Sequence, residues 1–293
     1  MRNIQDTYQR ITDAIIEQLE AGTKPWIRPW RGNGRGSHIP RRATGEAYRG
    51  INVLMLWLAS ELAGYEEITW MTYRQAQDFG GRVRKGEKGA LVVKYGTFAP
   101  KEREEDDDRG IPYLKGYTVF NVEQIENLPV GFYLPADELP TTPVPHLQNV
   151  EAFICNTGAS VTYGGTTACY HPATDDIFLP ARERFLDEVH LYSTLLHELG
   201  HWSGAKHRLD RDMTGRFGTY AYAAEELVAE LTASFLCADL GVAHDPRGNT
   251  AAYLDNWVNL LKSDKRAIVT AAAKAQAAAD YLHGLRQAGI PPA

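Results

Sequence analysis

A chain of 293 residues with 44% hydrophobic and 23% charged residues has the composition of a water-soluble globular protein and the length for two domains of ordinary size. No apolar run is long enough to span a bilayer, and the first residues are polar and charged rather than a secretory signal, so a cytoplasmic protein without a membrane partner is expected. Three widely spaced cysteines without a C-x-x-C pair exclude a disulfide framework and a cysteine zinc ribbon.

The net charge of -6 conceals an asymmetry. Residues 1–100 carry 15 Lys and Arg against 10 Asp and Glu, a surplus of +5 that leaves -11 for the remainder. A basic front and an acidic back point to two modules with different partners.

Residues 3–21 place Ile4, Tyr8, Ile11, Ile15, Ile16 and Leu19 at helical spacing, with Gly22 as a stop. From Lys24 to Arg42, prolines and glycines exclude a regular helix and leave an extended basic, aromatic loop. A second helix is predicted from about Asn52 to Ala63, and a short third one, capped by Thr69 or Thr72, ends at Gly80-Gly81. A basic turn, Arg84 to Gly89, precedes a strand from Ala90 to Phe98; six acidic residues in 101–109 read as a solvated tip, and Gly116 to Val122 as the return strand. Five prolines in residues 129–146 mark a linker. Beyond it a helix is expected near Gln148 to Asn156, then strands at 161–165, 168–170 and 176–179. Long helices follow at about 181–202 and 223–240, and two more between 250 and 283. The fold class is therefore α+β: residues 1–128 a helix-plus-small-sheet domain, 129–146 a linker, and 147–293 a mostly helical domain with a small sheet.

Within the helix predicted over 181–202, His197 and His201 stand four positions apart on one face with Glu198 between them, the H-E-x-x-H pattern that binds zinc and keeps the glutamate as general base. A catalytic zinc needs a third protein ligand and an open position. His207 fits a longer pattern through Gly204, but that pattern also needs a methionine turn, and Met213 stands too close to His207 for the role. Glu226 is preferred, because it borders the apolar stripe of Leu227, Val228, Leu231 and Phe235, where an unpaired carboxylate is costly. Glu230, one turn on, would support a ligand histidine by a hydrogen bond. The expected cofactor is one Zn2+, with Mn2+ or another divalent ion as substitutes. Tyr222 or Tyr220 would steady the oxyanion, and strand 168–170 offers an edge for an extended peptide.

In the front half, Lys24, Arg28, Arg31, Arg35, Arg41, Arg42 and Arg49 alternate with Trp26, Trp30 and Tyr48, and Arg84, Lys85 and Lys88 add a second basic cluster. Cations that follow a backbone and aromatic rings that stack on bases are the means of binding single-stranded nucleic acid.

The Lys24-Pro25-Trp26 to Pro29-Trp30 loop, Tyr48-Arg49-Gly50-Ile51-Asn52, Val83 to Gly89, His197 to Trp202, Arg208-Leu209 and Glu225 to Glu230 span essentially the whole chain. With these motifs the sequence resembles the ArdC family of antirestriction proteins. The resemblance implies an N-terminal single-stranded-DNA-binding domain and a C-terminal zincin-like metallopeptidase domain. It also implies protection of transferred plasmid DNA from host restriction, with a DNA-bound protein or a restriction enzyme as a further partner. In the family pattern the position of His207 is commonly small and polar while the Glu225 to Glu230 block is characteristic, which again favours Glu226. The competing expectation is a non-catalytic single-strand-binding protective protein whose metal is structural or regulatory.

Overall fold

Ile11, Ile15 and Leu19 recur at helical spacing and bury one stripe of helix α1 (Ile4–Glu20). The computed structural model describes residues 4–27, 37–98, 111–133, 144–216, 218–242 and 251–285. The chain divides into two compact units, Met1–Ile15 with Pro40–Leu134, and Ile16–Ile39 with Pro135–Ala293. The segment 16–39, assigned by sequence to the front domain, thus belongs to the second unit.

In unit 1 the chain continues through β1 (Arg41–Arg42), α2 (Ile51–Ala63), β2 (Thr69–Thr72), α3 (Tyr73–Asp78), β3 (Arg82–Val83), β4 (Ala90–Phe98), β5 (Ile111–Asn121) and β6 (Ile125–Glu126). The main sheet has the order β1-β2-β5-β4, while β3 and β6 form a separate antiparallel pair. Long antiparallel pairing sets β4 against β5, from Ala90 opposite Val119 to Phe98 opposite Ile111; the acidic tip 101–109 lies outside the described residues. Thr72, not Thr69, caps α3: it accepts from Gln75 N in a capping box, while Thr69 lies in β2. The edge of β4 is covered by a side chain. Asn52 Nδ2 donates to Val93 O at 2.8 Å and Val93 N donates to Asn52 Oδ1 at 2.7 Å, so one amide imitates a neighbouring strand. Met71, Ala76, Val122, Ile125 and Leu128 form a buried cluster behind this frame.

Unit 2 contains α4 (Val144–Thr157), β7 (Ser160–Gly165), β8 (Cys169–His171), β9 (Asp176–Pro180), α5 (Glu188–Trp202), α6 (Tyr220–Leu240), α7 (Ala251–Ser263) and α8 (Ala267–Gly284). Its sheet has the order β7-β9-β8, with β8 antiparallel at the outer position. Helix α5 starts at Glu188 rather than near Ala181, because Asp187 accepts from His190 N as a cap and Arg182–Arg184 form a separate turn. Gly200 is required where α5 crosses α6: a Cβ there would lie 3.0 Å from Ala229 Cα and 3.2 Å from Ala229 O. This close approach brings the start of α6 beside His197 and His201 of α5. No helix among the described residues is long and apolar enough to cross a membrane.

Candidate metal centre

Helix α5 is buried from Leu191 to Gly200, so His197 and Glu198 are polar groups inside an apolar layer, only 8% and 2% exposed. Such groups need partners, and α6 supplies them. Glu226 Oε2 lies 3.7 Å from His197 Nε2 and Glu226 Oε1 lies 3.4 Å from His201 Nε2. One ligand atom from each of these three residues falls within 4.8 Å of the others.

Behind the histidines the arrangement repeats. Glu230 Oε2 lies 3.5 Å from His197 Nδ1, and Glu225 Oε1 lies 3.3 Å from His201 Nδ1. A carboxylate at Nδ1 favours the tautomer whose Nε2 lone pair can face an ion. Two imidazoles, neutral once an ion displaces their protons, and one carboxylate with an adjoining cleft match the three-protein-ligand, one-open-position set of a catalytic zinc. The residues present therefore fit a divalent metal.

Charge among these groups is balanced by protons and by Arg211. Burial lowers the His201 imidazole, but hydrogen bonding to Glu225 and Glu226 outweighs it and holds His201 up at about 10. Burial raises Glu226, but His201 and His197 bring it down to about 2. Glu225 is likewise raised by burial and brought below the usual carboxylate range by His201 and Arg211. Arg211 grips Glu225 through Nε at 3.0 Å and Nη2 at 2.7 Å, and Nη2 also donates to Gly200 O at 2.6 Å. Glu225 and Arg211 are the supporting pair that the sequence reading missed. The available signal was a third glutamate adjoining Glu226 on a helix with a buried face.

Glu198 faces a cleft of about 330 Å³ that Cys169, Tyr170, Met213, Tyr222 and Tyr253 also line. Tyr170 N, on β8, donates to Glu198 Oε2 at 2.8 Å. Strand β8 is held there by a bracket: Tyr170 donates its hydroxyl to Asp175 at 2.8 Å, and Arg208 grips Asp175 with two bonds of 2.8 and 2.6 Å. The Tyr222 hydroxyl lies 3.3 Å from that of Tyr253, a cleft residue with no counterpart in the sequence reading. Burial and then this contact raise the Tyr222 hydroxyl far above its ordinary value, so it stays a proton donor. Tyr220, the other tyrosine considered, is 58% exposed and does not line the cleft. His207 is also elsewhere: its side chain is 64% exposed and its Nε2 lies 3.4 Å from Asp175 Oδ2.

The basic front requires two corrections. Trp26 is 1% exposed and packs edge-on against Trp257 at 5.7 Å, so its ring is not presented to bases. Lys24 is buried in an ion pair with Glu230 at 2.9 Å and is not available to a phosphate backbone. Both changes have the same cause, since unit 2 supplies an apolar slot and a buried carboxylate that outcompete solvent. Tyr48 is also buried, with the Arg42 guanidinium 5.4 Å from its ring centroid. Arg42 and Arg84 are exposed but paired with Glu46 and Glu87. Arg41, Arg49, Lys85 and Lys88 are exposed. Arg28, Trp30, Arg31 and Arg35 lie outside the described residues.

Residues 148–274, which contain the paired helices α5 and α6 and the outer strand β8, match the family described as zincin-like metallopeptidase. Residues 5–120 match the N-terminal domain of the anti-restriction factor ArdC. The chain is similar to the antirestriction ArdC protein of plasmid R388 in two crystal structures. The metal-free one has 45% identity and a TM-score of 0.80, and the Mn(II)-bound one 46% and 0.78; each covers 95% of this chain and 97% of that one. The chain therefore belongs to the ArdC antirestriction family. It is also 43% identical to protein y4eC of Sinorhizobium fredii, over 95% of this chain and 92% of the other. It is 37% identical to the DNA primase TraC of Escherichia coli, of which it spans 27%.

Proposed function

We propose that this chain is a divalent-metal-dependent peptidase that binds single-stranded DNA and protects transferred plasmid DNA from restriction in the cytoplasm. The observation that carries the reading is the convergence of His197, His201 and Glu226 beside Glu198 in an open cleft. The imidazole and carboxylate donors suit Zn2+, and Mn(II) occupies a relative's crystal structure. When bound, the ion supplies Lewis acidity toward the scissile carbonyl and lowers the pKa of water.

The chain's own groups do the rest. Glu198 accepts the proton of the attacking water and returns it to the leaving amine, while the Tyr170 N–H holds its carboxylate in place. Tyr222, kept protonated, donates toward the carbonyl oxygen as that atom gains charge. The outer position of β8 favours an extended peptide added alongside it. The substrate class is a DNA-bound protein, with restriction enzymes as the functional candidates.

For the DNA, unit 1 offers a face other than the tryptophan loop. In the β4–β5 register Lys94 lies opposite Lys115, Gly96 opposite Tyr113, and Val92 opposite Tyr117. Alternation puts Lys94, Lys115, Tyr113 and Tyr117 on one side of the ribbon. Lys115 Nζ lies 5.2 Å from the Tyr117 ring centroid. Cations beside partly exposed rings suit a backbone with stacked bases, and Arg41, Arg49, Lys85 and Lys88 add positive charge to the same unit.

Plasmid transfer into a restricting recipient tests the proposal. The wild-type chain should raise plasmid establishment, and Glu198→Gln, which keeps the metal ligands, should lose that effect. Full protection by Glu198→Gln would favour the competing reading, protection by DNA coating alone.

A further inference from the structure

We infer that Lys24 is a positioning residue for the metal centre, acting on His197 through Glu230. The inference rests on the metal site proposed above. His197 and His201 of α5 are each backed by a carboxylate and then by a cation. His201 leads through Glu225 to Arg211, 14 residues from that glutamate in sequence. His197 leads through Glu230 to Lys24, 206 residues away. Lys24 Nζ lies 2.9 Å from Glu230 Oε1, and the other oxygen of the same carboxylate faces His197 Nδ1 at 3.5 Å. The two side chains are 7% and 4% exposed, and Lys24 Nζ lies 5.1 Å from the Trp257 ring centroid.

Glu230 is deep in α6, with Leu227 and Leu231 buried on the same helix and Ser234 donating to its backbone carbonyl. A carboxylate in such surroundings keeps its charge and one orientation only when a cation and good geometry compensate it. Lys24 supplies both, and so fixes which oxygen reaches His197. The segment 23–27 is anchored beside it by Trp26 against Trp257. Residues at the N-terminal end of unit 2 thereby complete support for an ion held by α5 and α6.

Mn(II) affinity of the full chain, measured by EPR titration at fixed pH, tests this independently of peptidase activity. Lys24→Met should weaken Mn(II) binding about tenfold, as outer partners of metal ligands do, and Lys24→Arg should stay within about twofold. Lys24→Met combined with Glu230→Gln should bind no more weakly than Glu230→Gln alone, because Lys24 acts only through that carboxylate. Where Lys24→Met does not fold, Lys24→Gln, which keeps a donor but not the charge, should show a loss of the same order. A folded Lys24→Met or Lys24→Gln protein with wild-type Mn(II) affinity overturns the inference and leaves Lys24 a structural anchor. A wild-type chain that binds neither Mn(II) nor Zn(II) overturns the metal site itself, a separable failure.

Discussion

Glu225 Oε1 lies 3.3 Å from His201 Nδ1, and the same carboxylate is gripped by two nitrogens of Arg211. The imidazole is thereby held with Nε2 toward Glu226. Glu225→Ala removes this orientation without removing a proposed ligand, and should weaken Mn(II) or Zn(II) binding about 10–100-fold. Chelator competition would measure it, and unchanged affinity would show that Glu225 only anchors Arg211.

The third ligand separates by substitution. Glu226→Ala should abolish stoichiometric metal retention on dialysis, because its oxygens face both Nε2 atoms. His207→Ala should retain the full metal content, since His207 is exposed beside Asp175. Metal loss in the second variant alone would reverse the assignment.

Metal binding should depend on pH with a definite sign. His201, raised from 6.5 to about 10 in the metal-free site, is protonated at neutral pH, and the ion must displace that proton. Affinity should therefore rise by about tenfold per pH unit between pH 7 and 9, with proton release detectable by calorimetry in buffers of different ionisation heat. The stability of the chelated protein follows the opposite course. A raised imidazole contributes stability that is fully present below 6.5 and lost as pH rises toward about 10. Thermal melts in EDTA should fall across that window, and a flat profile would contradict the network of Glu225 and Glu226 about His201.

Trp26 and Tyr117 should respond in different assays. Trp26→Ala removes a ring buried against Trp257 and should cost about 3–5 kcal/mol of folding stability in denaturant titration. Tyr117→Ala should leave folding near wild type and weaken single-stranded DNA binding by about 1–3 kcal/mol at fixed salt. The reverse pattern would restore the tryptophan loop as the base-stacking element.

Local patterns were legible and distant pairings were not. Spacing i, i+4 alone places His197 and His201 on one face, and Glu226 and Glu230 bordering an apolar stripe, read with the family resemblance, favoured Glu226 over His207 as the third ligand. Glu225 escaped because a charge near a helix start ordinarily faces solvent, and its partner Arg211 is on the preceding loop. Lys24 and Trp26 sit in a basic, aromatic stretch whose composition favours a nucleic-acid loop over packing. Only Glu230 and Trp257, more than 200 residues on, decide between the two. The α+β division and the principal helices followed from periodicity. Two-residue strands such as Arg82–Val83 carry too little pattern to be seen.

Cleavage of an unstructured protein substrate by the purified chain is the most direct test of the central claim. It requires Mn(II) or Zn(II) and is run with and without single-stranded DNA. The account predicts hydrolysis that needs the metal, is lost in Glu198→Gln at unchanged metal content, and increases when enzyme and substrate share a DNA strand. Hydrolysis that persists at wild-type rate in Glu198→Gln, or none by a metal-loaded wild-type chain under any of these conditions, would contradict it.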